Sequence, residues 1–298
     1  MLIAIVAAMA AGACFAVGGV LQQRAASVRP ERESLTPRLL RDLMADRVWR
    51  WGISLAVAAY GFQSLALSFG PLAVVQPLIV TELLFAIPLS ARLYRLRLGV
   101  REWCGAVAVA AGLATALAAT NPHGGNRVAP HERWLAAITV VGAATGVALL
   151  VGRRLGEIPR TSLIALAAGL VMGTQSALLA TTVTHLRAGF LPLVTAWQTY
   201  LLVVASIGGL LLIQSAFQAG PLAASLPVID AVEPAVAVTI GIMVFHEQVR
   251  FGWLSGATAV LGMITLATGI VLLDTSKLLQ ALHRRQRKRR AEEQDQPP

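Results

Sequence analysis

The sequence repeats itself within its apolar segments at a shift of 150 residues. The repeated positions are mostly glycines, prolines and small apolar residues, which shape helices. They are Gly70 and Gly220, Pro71 and Pro221, Leu72 and Leu222, Ala73 and Ala223, Pro77 and Pro227, Ile79 and Ile229, Trp103 and Trp253, and Gly112 and Gly262. A repeat of this length in apolar sequence restricts the fold to a duplicated bundle of membrane helices, which is the plan of many secondary transporters.

The composition places most of the chain in lipid. Hydrophobic residues make up 56% of the sequence and charged residues 13%, whereas soluble domains carry roughly 25% charged residues. Cys14 and Cys104 lie singly in apolar runs, so neither a disulfide framework nor a zinc site is indicated. The net charge of +10 comes mainly from basic residues that flank the apolar segments, which favours an orientation signal over nucleic-acid binding.

Nine apolar segments are long enough to cross a bilayer, since a crossing helix needs roughly 20 residues. They lie near 2–22, 51–69, 71–91, 103–120, 134–152, 161–183, 191–217, 221–245 and 252–273. Residues 30–47 carry too many charges for a tenth crossing. The part near 35–47 instead predicts an interfacial helix on the headgroups, with arginines on one face. Its opposite, apolar face carries Leu35, Leu39, Leu40, Leu43 and Met44.

The basic residues predict the orientation of these segments. With the N-terminus outside, 21 of the 25 basic residues lie on the cytoplasmic side, among them the C-terminal cluster HRRQRKRR. Cytoplasmic loops of membrane proteins carry such an excess of Lys and Arg. We therefore expect a multi-pass protein of the inner (cytoplasmic) membrane with its N-terminus outside and its C-terminus in the cytoplasm.

The predicted fold is all-α and consists of two inverted four-helix repeats joined by a connecting helix. Five crossings separate each segment from its counterpart, and an odd number of passes inverts the second copy. The predicted units are a first repeat at 1–120, a connecting helix at 121–157, a second repeat at 158–275 and a basic cytoplasmic tail at 276–298. The first apolar segment matches the sixth at a shift of 161, which marks a longer basic loop in the first copy.

A family resemblance rests on the second copy, which has a Gly/Ala-Pro turn, a mid-helix proline, a glutamate at a helix end and a glycine-spaced final segment. It reads AGPLAASLPVIDAVEPAVAVTIGIMVFHEQVRFGWLSGATAVLGMITLATGIVLL. This stretch resembles the C-terminal half of EamA-type proteins of the drug/metabolite transporter (DMT) superfamily. The first copy departs from the pattern, because Arg97 stands at the position of Glu247.

Within that superfamily, the nine-segment plan and the stretch GPLAVVQPLIV resemble the NIPA-type magnesium transporters and their bacterial relatives. The likeness covers roughly residues 1–275. It implies a permease that moves a small solute by alternating access. Two substrate classes stay open: a divalent cation such as magnesium, and a small metabolite or drug exported against protons.

Three acidic residues fall in the middle of apolar segments, namely Glu82, Asp230 and Glu233. A carboxylate at the bilayer centre costs roughly 2.5 to 3.5 kcal/mol, so such residues are usually paired, protonated or placed in a cavity. Asp230 and Glu233 share a helix face. We interpret the three acids as a cation-binding or proton-coupled site and as candidate metal ligands. The alternative is that they are neutral acids bonded to a neighbouring helix.

Glutamines and prolines inside the apolar segments form a second group of candidates. The candidate cavity ligands are Gln63, Gln76, Gln175 and Gln214. Bridging between helices is the alternative for each of them, since polar side chains often join membrane helices. Pro77 and Pro227 occupy one position in the two copies and are candidate hinges, because a proline frees the carbonyl one turn earlier.

Other function classes lack their sequence signals. There is no GxxxxGK[ST] phosphate-binding loop, and no nucleophile with a base or His/Asp cluster at one membrane face. We therefore expect a secondary transporter rather than an enzyme, without catalytic residues or a cofactor. Its expected partners are a small solute or ion and membrane lipid, and not nucleic acid. A non-transporting membrane subunit or an intramembrane enzyme is the alternative from another class, and a homodimer and a monomer both stay open.

Reporter fusions test the predicted orientation. A fluorescent protein joined after residue 275 should fluoresce, and alkaline phosphatase joined there should be inactive, because that position is predicted to be cytoplasmic. Fusions after residue 125 should give the reverse pattern. An active phosphatase after residue 275 would contradict the predicted topology.

Overall fold

A chain in hydrocarbon must satisfy its backbone hydrogen bonds internally, which helices do within one segment. The computed structural model describes residues 2–69, 78–79, 81–93, 95, 98–120, 126, 129–248 and 252–275, and these form helices and turns without a strand. The helices are α1 (Leu2–Ala26), α2 (Pro37–Ala45), α3 (Arg47–Phe69), α4 (Glu82–Leu93), α5 (Val100–Thr120), α6 (His131–Gly152), α7 (Glu157–Ala188), α8 (Phe190–Thr195), α9 (Trp197–Ala219), α10 (Leu222–Met243) and α11 (Trp253–Asp274). A short 3-10 helix covers Glu31–Glu33.

Seven of the described helices are long and apolar enough to cross a membrane. They are α1, α5, α6, α7, α9, α10 and α11. The protein is therefore an all-helical, multi-pass membrane protein, as the sequence predicts. Helix α3 is not among the seven, and α4, which is only 12 residues long, covers just residues 82–91 of the predicted third crossing. The count of nine crossings stays a prediction.

The predicted seventh segment, 191–217, forms two helices rather than one. Helix α8 ends at Thr195, and one extended residue separates it from α9. Side chains of α9 bond the carbonyls that the break leaves free. The Thr199 hydroxyl donates to the carbonyl of Leu193 at 2.7 Å, and the hydroxyl of Tyr200 binds the next carbonyl in the same way. The interruption at Ala196 is tolerated in apolar surroundings because side-chain donors satisfy the free backbone carbonyls.

The segment near 35–47 is helical, as predicted, but the centre of its apolar face lies within the protein, while Met44 at the edge of that face is 61% exposed. Helix α2 packs against α3 and α9, and both Leu39 and Leu43 are fully buried. Asp46 ends α2 and begins α3, because its carboxylate accepts hydrogen bonds from two backbone N–H groups of α3. The predicted position on the headgroups is therefore corrected. An amphipathic pattern identifies an apolar face, but it does not say whether lipid or protein covers that face.

Helices α5 and α11 meet backbone to backbone at glycines. A Cβ atom on Gly112 would lie 2.6 Å from the carbonyl oxygen of Gly262, and a Cβ atom on Gly269 would lie 2.7 Å from that of Gly105. Because the sequence numbers rise along one helix and fall along the other, the two helices are antiparallel. Small residues permit this approach, which drives association in lipid through packing.

Two other helix pairs use glycines in the same way. A Cβ atom on Gly18 of α1 would lie 2.9 Å from the carbonyl oxygen of Gly52 in α3. A Cβ atom on Gly173 of α7 would lie 2.5 Å from the carbonyl oxygen of Glu233 in α10. By contrast, a Cβ atom on Gly146 of α6 would meet nothing within 4 Å. Close packing thus belongs to particular glycines, not to glycine content.

Substitution of Gly112 by valine tests the contact between α5 and α11. The new side chain would meet the backbone of α11, which cannot rotate away, so we expect a loss of stability of about 1 to 3 kcal/mol. The change is measured as a lower thermal unfolding midpoint in detergent. Gly146→Val is the matched control, because its side chain has open space. Equal unfolding midpoints for the two variants would contradict the close packing.

Candidate functional site

Helices α4 and α10 bring two of the predicted acids together. Glu82 begins α4, is buried, and forms a side-chain hydrogen bond with Asp230 in the middle of α10. An ionised carboxylate only accepts hydrogen bonds, so two carboxyl groups can bond to each other only when one carries a proton. The arrangement of Glu82 and Asp230 is therefore that of a pair that shares one proton.

The third predicted acid, Glu233, lies one turn after Asp230 on α10. The hydroxyl of Ser176 in α7 donates a hydrogen bond to Glu233 Oε1 at 3.1 Å. Glu233 is also near enough to Asp230 and Glu82 for its charge to act on both. We call Glu82, Asp230 and Glu233 the acid cluster. The structure thus gathers the three acids that the sequence singled out, from two helices that are far apart in the chain.

Two acceptors of Asp230 lack their usual partners. Its Oδ2 atom is enclosed and accepts no hydrogen bond from an N–H or hydroxyl group of the described residues. Its backbone carbonyl also lacks the usual helical donor, because Pro234, four residues later, has no N–H. Buried acceptors are nearly always paired in folded proteins. A proton, a cation or a polar solute at this place would supply the missing donor or charge.

Tyr60 of α3 belongs to the same region and was missed by the sequence analysis. Its hydroxyl lies close enough to Glu82 and Glu233 for both carboxyl groups to act on it. Its ring packs edge-on against Phe15 of α1, with 5.1 Å between the ring centroids, and the residue is 52% exposed. The available signal was a phenol in an apolar segment, since a tyrosine hydroxyl in apolar surroundings usually meets a polar partner.

Gln214, a candidate cavity ligand, serves as a bridge between helices. It is fully buried in α9. Its Oε1 atom accepts a hydrogen bond from the indole N–H of Trp49 at 3.1 Å, and its amide nitrogen donates to Gln22 Oε1 at 2.6 Å. The side chain therefore joins α9 to α3 and α1. This arrangement matches the bridging alternative for glutamines in membrane helices.

The remaining candidates have different surroundings. Gln63 and Gln175 are half-buried, and Gln175 Oε1 is an enclosed acceptor without a partner among the described residues. Gln76 and Pro77 lie outside the described residues. Pro227 is buried within α10, and the helix continues through it from Leu222 to Met243. One candidate hinge therefore lies in the helix that carries Asp230 and Glu233, and its movement stays a prediction.

The acid cluster is not arranged as a preformed metal site. Within the described residues, which include all three acids, no three or more His, Cys, Asp or Glu side chains form a group that could hold a metal ion. The pairing of Glu82 with Asp230 is a reason, because a carboxyl group that binds a proton offers one fewer ligand oxygen. The metal-ligand role therefore stays a prediction.

Comparison with known proteins gives one match over nearly the full length. The uncharacterized protein Cgl0250/cg0304 of Corynebacterium glutamicum is 32% identical over 283 residues, which cover 93% of this chain and 96% of the relative. This chain belongs to the family of that protein. No protein-family model and no solved structure matches this chain. Because the match spans almost all of both chains, the helix bundle as a whole is the unit that the family shares.

Infrared spectroscopy tests the shared proton. At neutral pH the wild-type protein should show the carbonyl band of a protonated carboxylic acid, because a hydrogen bond between Glu82 and Asp230 requires one proton. Glu82→Gln and Asp230→Asn should each remove this band. Glu132→Gln is the control, since this glutamate is exposed at the start of α6. A band that persists in both site variants would contradict the pairing.

Proposed function

We propose that the protein is a secondary transporter of the cytoplasmic membrane, a member of the DMT superfamily that moves a small solute by alternating access. The hydrogen bond between Glu82 and Asp230 carries the proposal. A proton that the two carboxyl groups share would lie between two helices that belong to different copies of the proposed repeat. Intramembrane acids that pair in this way are typical of proton relays in pumps and transporters.

Contacts between helices support the proposed inverted repeats. Gly112 and Gly262 are equivalent positions of the two copies, and they lie against each other on antiparallel helices. Helix α1 packs against α3 as α7 packs against α9. A short helix precedes the second long helix of each copy, namely α2 before α3 and α8 before α9. Two copies related by a pseudo-two-fold axis near Gly112 would produce these correspondences.

The acid cluster provides a means of coupling. With the proton bound, the Glu82–Asp230 pair carries one charge fewer, which lowers the cost of enclosing it in the bundle. A cationic or polar solute that enters beside Asp230 competes with the proton for the same oxygens. Exchange of one for the other on opposite sides of the membrane moves the solute against the proton. Rocking of the two copies about the Pro77 and Pro227 helices would expose the cluster to each side in turn.

A divalent cation such as magnesium is the second candidate substrate. The resemblance to NIPA-type transporters favours it, as does the proximity of three acids, one of which, Asp230, has an enclosed oxygen without a donor. Magnesium binds carboxylate oxygens but keeps several of its waters. It would therefore enter hydrated and take one or two direct ligands, which does not need a preformed group of three.

Transport by purified protein in liposomes tests both candidates. Vesicles that contain a pH dye and a magnesium dye are given magnesium chloride or a panel of small metabolites and organic cations. We expect solute-dependent proton movement, and Asp230→Asn should slow it about tenfold or more because the proton-binding group is lost. Glu132→Gln, which lies outside the acid cluster, should transport at the wild-type rate.

The outcomes separate the candidate functions. Magnesium uptake without proton movement would select the second candidate. Equal rates for Asp230→Asn and the wild type would refute the role of the acid cluster. If no solute moves and none raises the thermal stability of the protein, a non-transporting membrane subunit or an intramembrane enzyme is the better account.

A further inference from the structure

The segment between α1 and α3 joins two parts of the bundle that are distant in sequence. We call residues 29–46, which contain the 3-10 helix and α2, the α2 segment. The backbone N–H of Leu35 donates to Ser215 Oγ at 3.0 Å. The Gln218 amide donates to the carbonyl of Pro30 at 2.7 Å. Just after the segment, the indole of Trp49 at the start of α3 donates to Gln214. All of the partners lie in the last turns of α9.

The C-terminal end of α1 is bound to α9 and to Gly220, the residue that follows α9. Gln22 accepts a hydrogen bond from Gln214, and the Gln23 amide donates to the carbonyl of Gly220 at 3.4 Å. The side chains of Gln22, Gln23 and Gln214 are buried. A set of buried and partly buried hydrogen bonds therefore ties α1 and the α2 segment to the end of α9. These groups belong to opposite copies of the proposed repeat.

The corresponding element of the second copy is not buried in this way. Helix α8 precedes α9 as α2 precedes α3. It has no buried residue, and Phe190 and Leu191 are 75% and 70% exposed. In α2, by contrast, Leu39 and Leu43 are fully buried. The two ends of the bundle are therefore closed differently, although the chain places a short helix at the same point of each copy.

We propose that the α2 segment is a gate at the basic, inner end of the bundle: docked on α9 it closes the path to the acid cluster, and transport requires it to leave α9. The inference rests on the proposed transport function. The two copies cannot separate at this end while the α2 segment, which is part of the first, is bound to the second.

The sequence of α2 also provides a second place for the released helix. Its apolar residues lie on one face, while Arg38 and Arg41 are exposed on the other. A basic amphipathic helix of this kind is stable on membrane headgroups. The contacts that must break are neutral hydrogen bonds, each of which contributes little net stability, and the packing of Leu39 and Leu43, which acyl chains would cover after release. Docking on α9 and lying at the interface are thus two alternative positions for one helix.

Accessibility labelling tests the gate without knowledge of the substrate. Ser225 is fully buried one turn into α10, next to the inner end. In a protein with Cys14→Ser, Cys104→Ser and Ser225→Cys, a membrane-impermeant maleimide is applied from either face of the membrane. Ser215→Ala or Gln218→Ala should raise the labelling rate from the inner face about five- to tenfold, since each removes a bond that favours the docked state.

Ser206→Ala is the matched control, because Ser206 also lies on α9 and its hydroxyl donates to the carbonyl of Leu202 in the same helix. Hydrogen exchange of the backbone amides, in a protein that keeps Cys14 and Cys104, provides a second measurement. In that protein, Ser215→Ala should speed exchange at residues 35–45 and leave the exchange of α5 and α11 unchanged. Equal labelling rates in all variants, or an equal rise from the outer face, would overturn the gate. Gate release in a protein that moves no solute would instead count against the transport function alone.

Discussion

The approach of helix backbones at glycine is the constraint on which this structure depends. In lipid, burying apolar side chains between helices gains little over contact with acyl chains, so close packing decides which helices associate. Gly173 brings α7 against the carbonyl of Glu233. Gly12 brings α1 against the carbonyl of Ile79, whose oxygen would lie 3.1 Å from a Cβ atom on Gly12. The helices that carry the acids are therefore placed by residues that have no side chain.

The acid cluster and the α2 segment occupy different levels of the same bundle. The acids lie where helices α4 and α10 meet, and their pairing requires a proton because two carboxylates cannot bond to each other. The α2 segment lies at the end of α9 and is bound by hydrogen bonds between neutral groups and by the packing of Leu39 and Leu43. Binding and closure thus use different chemistry. Binding or loss of a proton changes the charge of the acid cluster, whereas separation of the two copies requires the bonds of the α2 segment to break.

Several features could be predicted because they follow from local pattern. Apolar runs of about 20 residues predict membrane helices, and the three acids stand out because charge is costly in lipid. Other features could not. The apolar face of α2 could have met lipid or protein, and only the position of α9 decides that Leu39 and Leu43 are buried. The break before α9 was missed because its residues are as apolar as their neighbours.

The sequence by itself determined that this chain is a helical membrane protein and which of its acids are unusual, since both follow from the cost of placing polar groups in hydrocarbon. Only the tertiary structure decided how those acids are used. Glu82 and Asp230 are far apart in the chain, and their hydrogen bond depends on the crossing of α4 and α10. Likewise Gln214 changes from a candidate ligand to a bridge because Trp49 and Gln22 reach it. Partners of this kind depend on how helices cross, which no local pattern encodes.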